Sequence, residues 1–462
     1  MEPNIHPLSS SYRDPSGFMF EVKGVLYRQI NNSFKIHLDH FIESGCYAHL
    51  TKGKLLIPHE ELSENITGSK DCYKTIRPER IAFISYPYEW SFDMLKDAAL
   101  LTLQVAKECL SFEVILKDAT PYNVQWHEGK PIFIDTLSFE KYNAAEPWIA
   151  YRQFCESFLS PLLLMSYSNQ PLQSMLLAYP DGIPIQVTKS LLPWKSKLSL
   201  HTYLHIHLHA KYAMRHRGKQ EKNAAFSKRK MENLISSLQT LIAGLKWKGQ
   251  TTTWENYYEE ATKRNDYVDE KKKIIQSWLN EIPLLSTIAD AGANEGEFSL
   301  LASSFGKNII AADFDHAAIN KMYNKLKIDG ITNILPLLID LANPSPATGL
   351  NNAERNSFTE RMNADLCLAL ALIHHLAIGK NIPFGSIAAY FAKISEYLLI
   401  EFIPKEDEKV QFMLTQKKDI YNSYNETVFT KSFEEYFSIL KTKQISNSGR
   451  ILYLMKKNEI TE

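Results

Sequence analysis

The chain has 462 residues, 45% of them hydrophobic, enough to fill real cores in about two or three domains, and this excludes a disordered protein. Its 52 basic and 52 acidic residues balance to a formal net charge of zero, which removes any general electrostatic argument for a nucleic-acid partner and leaves only local basic runs such as Lys211 to Lys230. Five cysteines without metal spacing, no basic apolar export signal and no apolar run of about 18 residues together predict a soluble cytoplasmic protein with no membrane partner.

In chain order, Gly17 to Ile30 alternates and turns at Lys23-Gly24, which predicts a hairpin. Residues 34 to 50 read as helical, Arg80 to Pro87 as a strand entering a turn, and Ser91 to Cys109 as an amphipathic helix capped by Ser91 with Asp93 in its first turn. A loop from Leu116 to Trp126 follows, then a short strand from Lys130 to Thr136. Asp118 and Asn123 are five residues apart, and Asn123 and Asp135 twelve. That spacing resembles the catalytic loop and metal-binding acid of protein-kinase-like and aminoglycoside-phosphotransferase-like folds, where the first Asp orients a hydroxyl and the Asn and last Asp hold magnesium. The pattern departs from those folds at several points. Leu116 stands where they carry His, Thr136-Leu137 replaces Phe-Gly, and upstream there is no glycine-rich phosphate loop, with Lys23 only a weak substitute for the phosphate-pairing lysine. The same three side chains also suit turn formation and a strand end.

Pro147 to Phe158 and Pro161 to Met165 read as buried helix, their aromatics as core. In Leu200 to Ala210, a helix would align His201, His205 and His209, and a strand would align His205, His207 and His209. No acid or cysteine completes a zinc spacing, so a polar helix face near a domain boundary is expected and no metal. Residues 211 to 250 are basic and read as helical. Thr253 is then expected to cap a helix holding Tyr257 and Tyr258, which either pack or help cover a cofactor site, and a helix expected over 269 to 281 leads into the next domain.

Ile288-Ala-Asp-Ala-Gly-Ala-Asn-Glu-Gly-Glu-Phe298 reads as a buried strand, a glycine bend and a helix start. Gly292 allows the turn and Gly296 a close approach of the helix N-terminus to a ligand. The dinucleotide spacing G-x-G-x-x-G is absent. Asp290-x-Gly292-x-x-x-Gly296 instead resembles the first motif of class I S-adenosylmethionine-dependent methyltransferases, whose loop, here including Asn294, wraps the methionine end of the cofactor. Asp313 lies 23 residues beyond Asp290, at the end of an apolar strand. The resemblance assigns it the ribose hydroxyls, with Asp315 as the substitute if the strand ends later. It also puts Asp340, at the end of a third strand from Ile334, near the adenine amino group, and Leu341 against the ring.

Ala364 to Leu376 would be the fourth strand and its turn, facing the transfer site. His374 and His375 there suit proton abstraction from an acceptor, or simply packing and capping of the turn. Glu396 to Pro404 resembles the fifth strand. Its Glu401, inside an apolar run, is either a substrate-facing acid or the strand's exposed end. Thr427 to Phe429 and Arg450 to Met455 are expected as the closing antiparallel pair, separated by a helix over Phe433 to Leu440.

The expected architecture is α/β: an α+β kinase-like region over 1 to 200, a helical connector and cofactor-site cover over 201 to 284, and a Rossmann-like class I methyltransferase domain with a seven-stranded sheet over 285 to 462. The implied activity is methyl transfer from S-adenosylmethionine to an unidentified small-molecule or protein acceptor. The alternatives are a magnesium-dependent phosphotransferase and a non-catalytic S-adenosylmethionine-binding protein.

Overall fold

The computed structural model describes residue 5 and residues 7–144, 146–211, 226–249, 265–283 and 285–459. Thr253, Tyr257 and Tyr258 lie outside the described residues. The chain divides into two compact units, Met1–Gln250 with Thr348–Arg355, and Thr251–Ala347 with Asn356–Glu462.

The first unit opens on the expected hairpin, β1 (Gly17–Val22) and β2 (Val25–Asn31), in register from Gly17↔Ile30 to Val22↔Val25. Lys23 and Gly24 both take positive φ, 51° and 79°, which matches the twist of a two-residue turn. β3 (His59–Leu62) and β4 (Cys72–Pro78) complete an antiparallel sheet of order β1-β2-β4-β3. The strand expected at Arg80 to Pro87 does not form. There the Ser85 amide donates to the Gln125 side chain at 2.9 Å, that side chain donates back to Ser85 O, and Pro87 starts a 3-10 turn, so Ser85 is satisfied without a ladder. The helix Phe92–Leu110 has Ser91 at its N-cap, although that side chain makes no cap bond. Beyond it, β5 (Val114–Leu116) pairs with β8 (Phe139–Lys141), and between them β6 (Val124–His127) and β7 (Lys130–Phe133) form a hairpin. This nested arrangement holds residues 117 to 123 and 134 to 138 side by side, with the Lys117 amide donating to Ser138 O at 2.8 Å and Ile134 to Asn123 O at 2.9 Å.

In the second unit, strands alternate with helices to build one mixed sheet from β9 (Leu285–Ala291), β10 (Gly306–Asp313), β11 (Ile334–Leu338), β12 (Ala364–Ala369), β13 (Ser395–Phe402), β14 (Phe437–Gln444) and β15 (Ile451–Lys457). Its order is β11-β10-β9-β12-β13-β15-β14, parallel except around β15, which runs antiparallel to both β13 and β14. Runs such as Ile288, Ile309, Leu366, Leu368 and Leu399 are buried, as strands covered on both faces require. The order reverses between β9 and β12, so a crevice opens at the carboxyl ends of these strands.

The closing pair differs from expectation. Thr427 to Phe429 lies in the helix Glu426–Glu434, and the extended partner of β15 is β14. Two local signals explain the exchange: the Asn425 side chain caps the helix by accepting from the Val428 amide, and Phe429 and Phe433, one turn apart, are both buried.

Candidate functional site

A pocket of about 1000 Å³ occupies the crevice. Of the seven residues that the resemblance implies for the cofactor, Asp290, Gly292, Asn294, Asp313, Asp340 and Leu341 line it together. Gly292, at φ 79°, turns the chain off β9, and both its amide and that of Ala293 donate to Ala312 O, at 2.8 and 3.1 Å. A Cβ at Gly292 would lie 3.2 Å from the Leu372 side chain in a backbone conformation that L residues avoid. Gly296 has a different role. It caps the helix Glu297–Ala302 at φ 86° and does not line the pocket; its missing Cβ makes room for Met322, whose sulfur would be 3.0 Å away.

The two strand-end acids face the same cavity from adjacent strands. Asp290 accepts from the Ser299 hydroxyl at 2.6 Å. Burial pushes its carboxyl up to about 6, with the Ser299 bond opposing and Asp313 adding to the rise. Asp313 accepts from the amides of Asn294 and Asp315, each at 2.8 Å, so this carboxylate ties the glycine bend to the end of β10. Burial raises it to about 6 as well, against the pull of those amides. Asp315 is committed elsewhere: its carboxylate caps the helix His316–Asp329 through the Ala317 and Ala318 amides. Asp340 accepts from the Ala342 amide at 2.9 Å and meets Lys380 at 3.3 Å.

At the far side of the crevice His375 lines the pocket and begins the turn His375–Gly379. Burial lowers its imidazole to about 4, so the ring is neutral at neutral pH. His374 does not line the pocket. Its ring lies 4.0 Å from that of His375, is buried, and is held well below the ordinary histidine range first by that burial and then by His375.

Glu401 is neither an exposed strand end nor a pocket-lining group. It is fully buried, and accepts from Lys271 Nζ at 2.6 Å, the Ala371 amide at 2.9 Å and the Tyr267 hydroxyl. Arg450 extends the network: it donates to the Tyr267 hydroxyl at 3.1 Å and to Asp407 at 2.8 Å, and lies 3.9 Å from Glu401. Burial alone would raise the Glu401 carboxyl, but Lys271 and Arg450 hold it below its ordinary range. Tyr267, Lys271, Asp407 and Arg450 line the pocket and were missed in the sequence. One signal existed: a carboxylate inside an apolar run needs a cationic partner, although nothing local says which one.

In the first unit the two nested loops bring Asn123 and Asp135 near each other through Ser138, which receives the Asn123 amide at 3.0 Å and donates to Asp135. Arg28 on β2 also donates to Asp135. A guanidinium and a hydroxyl therefore hold the carboxylate that the phosphotransferase reading gives to magnesium, and they keep it below its ordinary range against its burial. Asp118 is raised, chiefly by burial and then by Asp135. Among the described residues no group of three or more His, Cys, Asp or Glu side chains is arranged to hold a metal ion.

No family model matches the chain. The nodulation protein NoeA of Rhizobium meliloti (strain 1021) is 32% identical over 466 residues, covering 99% of this chain and 97% of that protein. Among solved structures, the N-methyltransferase NodS from Bradyrhizobium japonicum WM9 aligns with 42% of this chain and 98% of its own, at 14% identity and a TM-score of 0.32. The magnesium protoporphyrin IX methyltransferase ChlM from Synechocystis PCC 6803, with bound S-adenosylmethionine, aligns with 41% of this chain and 80% of its own, at 19% identity and a TM-score of 0.28.

Proposed function

The chain belongs to the family of the nodulation protein NoeA, and from the lining of its crevice we propose that its second unit transfers a methyl group from S-adenosylmethionine to an acceptor entering beside His375. The observation that carries this reading is the joint lining of one pocket by Asp290, Gly292, Asn294, Asp313, Asp340 and Leu341 at the carboxyl ends of neighbouring strands. A volume of about 1000 Å³ lies at the upper end for ligand sites, with room for a cofactor and a second reactant.

The residues present fit the cofactor. The bend at Gly292 to Asn294 lets backbone approach the methionine end. Asp313 is ionised at neutral pH and, with one amide on each oxygen, keeps lone pairs for two ribose hydroxyls. Leu341 and Ile339 offer an apolar wall for the adenine ring, and Asp340 an acceptor for its amino group. Nine Asp and Glu against four Lys and Arg in the lining favour a cationic ligand. When bound, the cofactor supplies an electrophilic methyl group on a sulfonium.

The chain's own residues position and deprotonate the acceptor. His375 is neutral, and its ring nitrogens suit removal of a proton from an acceptor hydroxyl or amine. Glu401 acts at one remove, holding Lys271 and the Ala371 amide at the pocket wall. Holding both reactants in line contributes more than any single base.

Titration calorimetry with S-adenosylmethionine tests the reading. Wild type gives one-site binding, and Gly292→Val and Asp313→Ala each weaken it at least about tenfold. Absence of heat with wild type overturns the assignment. Binding without methyl transfer to any acceptor in a broad screen supports a non-catalytic S-adenosylmethionine-binding protein instead.

A further inference from the structure

The segment Leu200–Leu208 of the first unit presents its residues the wrong way round for a surface helix. Its histidines turn inward: His201 and His205 each have a ring nitrogen 2.8 Å from the Ser237 hydroxyl, His205 also lies 2.9 Å from the Tyr151 hydroxyl, and His207 lies 2.8 Å from Ser196. His209 stacks on Tyr151 at 5.0 Å. The polar helix face expected here is therefore turned inward. Leu200, Leu204 and Leu208, four residues apart, face solvent with Tyr203 beside them. Just upstream Leu191, Trp194 and Leu198 are exposed too, Trp194 at 67% and Leu198 at 75%. A lone exposed leucine is ordinary, but seven large apolar side chains exposed between Leu191 and Leu208 point to a contact surface.

The charge along this stretch of the chain has one sign, and Glu156, which accepts from the Ile185 amide, is an acid brought beside it from an earlier helix. No Asp or Glu occurs between Asp181 and Glu221, whereas Lys189, Lys195, Lys197 and Lys211 fall in or beside the exposed run, in a chain balanced overall. Lys195, Lys197 and Lys211 are exposed. His207 registers the local field, since Lys197 and Lys189 add to the burial that lowers its imidazole.

We propose that the face formed by Leu191, Trp194, Leu198, Leu200, Leu204 and Leu208 docks on the surface of an anionic lipid bilayer, with Lys195 and Lys197 meeting lipid phosphates. Tryptophan suits the headgroup level, leucines the acyl boundary beneath it, and lysines reach back to the phosphates along their own stems. Among the described residues no helix is long and apolar enough to cross a membrane. Surface binding needs no such length, only apolar area and positive charge. This inference does not depend on the methyl-transfer reading.

Vesicle flotation of the full chain tests it. Phosphatidylcholine vesicles with about 30 mol% phosphatidylglycerol carry wild type up the gradient at least about tenfold more than phosphatidylcholine alone, and salt weakens the effect. The combined variant Trp194→Ser, Leu198→Ser, Leu204→Ser, Leu208→Ser and the pair Lys195→Glu, Lys197→Glu each abolish flotation; every site is exposed, and an unchanged thermal melt checks folding. Failure of wild type to float, or equal flotation of the serine variant, overturns the proposal. So does a wild-type dimer in sedimentation velocity that the serine variant turns into a monomer, because a second copy then covers the face.

Discussion

Lys271 and Glu401 meet at 2.6 Å with both side chains almost wholly out of water, joining the helix that precedes the sheet to the end of β13. Two charges removed from water are tolerable only when each is the other's partner and the remaining lone pairs are filled, as the Ala371 amide and Tyr267 hydroxyl fill those of Glu401. Lys271→Met leaves the carboxylate buried with less compensation, and lowers the unfolding free energy of the second unit by about 3–5 kcal/mol. Adding Glu401→Gln recovers part of that loss. Denaturant unfolding of the two single variants and the double variant measures the coupling, and additive losses would show that the pair does not act as a unit.

Asp290 sets a dependence of stability on pH. Its carboxyl is raised from the ordinary 3.8 to about 6, so between those values the folded chain holds a proton that the unfolded chain has released. Stability from this group therefore falls as pH rises through that window and stays lower above it. Asp290→Asn, which keeps an acceptor for the Ser299 hydroxyl, removes the dependence. The stability advantage of the variant over wild type grows by about 2 kcal/mol between pH 4 and pH 7. Unfolding curves across that range check the sign: an advantage that shrinks with rising pH would show that the carboxylate is stabilised in the folded chain.

His375→Gln tests the proton-accepting role. With its imidazole lowered to about 4, His375 is already unprotonated at neutral pH and contributes no limb there. The wild-type rate falls only as pH drops towards 4, and the variant loses that limb together with about 10²–10⁴ of kcat, at little cost in affinity for S-adenosylmethionine. A variant with full kcat would leave positioning as the sole means of rate enhancement.

Arg28 decides between readings of the first unit. Its guanidinium holds the largely buried Asp135, and Arg28→Ala lowers stability by about 3–5 kcal/mol by stranding that carboxylate. Magnesium ATP titrated into wild type gives no binding heat. A saturable signal that Asp135→Ala abolishes would support the phosphotransferase reading instead.

The fold of the second unit was legible because its signals are contiguous. β9, β10 and β11 are short apolar runs that lead into a glycine or an acid, and the bend at Gly292 needs only its own backbone to be recognised. The exchange of Thr427 to Phe429 for β14 was legible in principle, through the Asn425 cap and the spacing of Phe429 and Phe433, but a short apolar triplet suits strand and helix alike. Arg80 to Pro87 has an extended pattern, yet the backbone of its Ser85 pairs with the Gln125 side chain, 40 residues away, in place of a strand.

By itself the sequence determined the alternation of strand and helix, the bend between Asp290 and the following helix, and an acid at the end of each of the next two strands, since periodicity and turn chemistry reside in neighbouring residues. Only the tertiary structure decided which charges and faces meet. Glu401 finds Lys271 at a separation of 130 residues, Asp135 finds Arg28 at 107, and the histidines of Leu200–Leu208 turn inward because Tyr151 and Ser237 wait there to receive them. Burial and pairing depend on partners brought from elsewhere in the chain, and no local pattern records them.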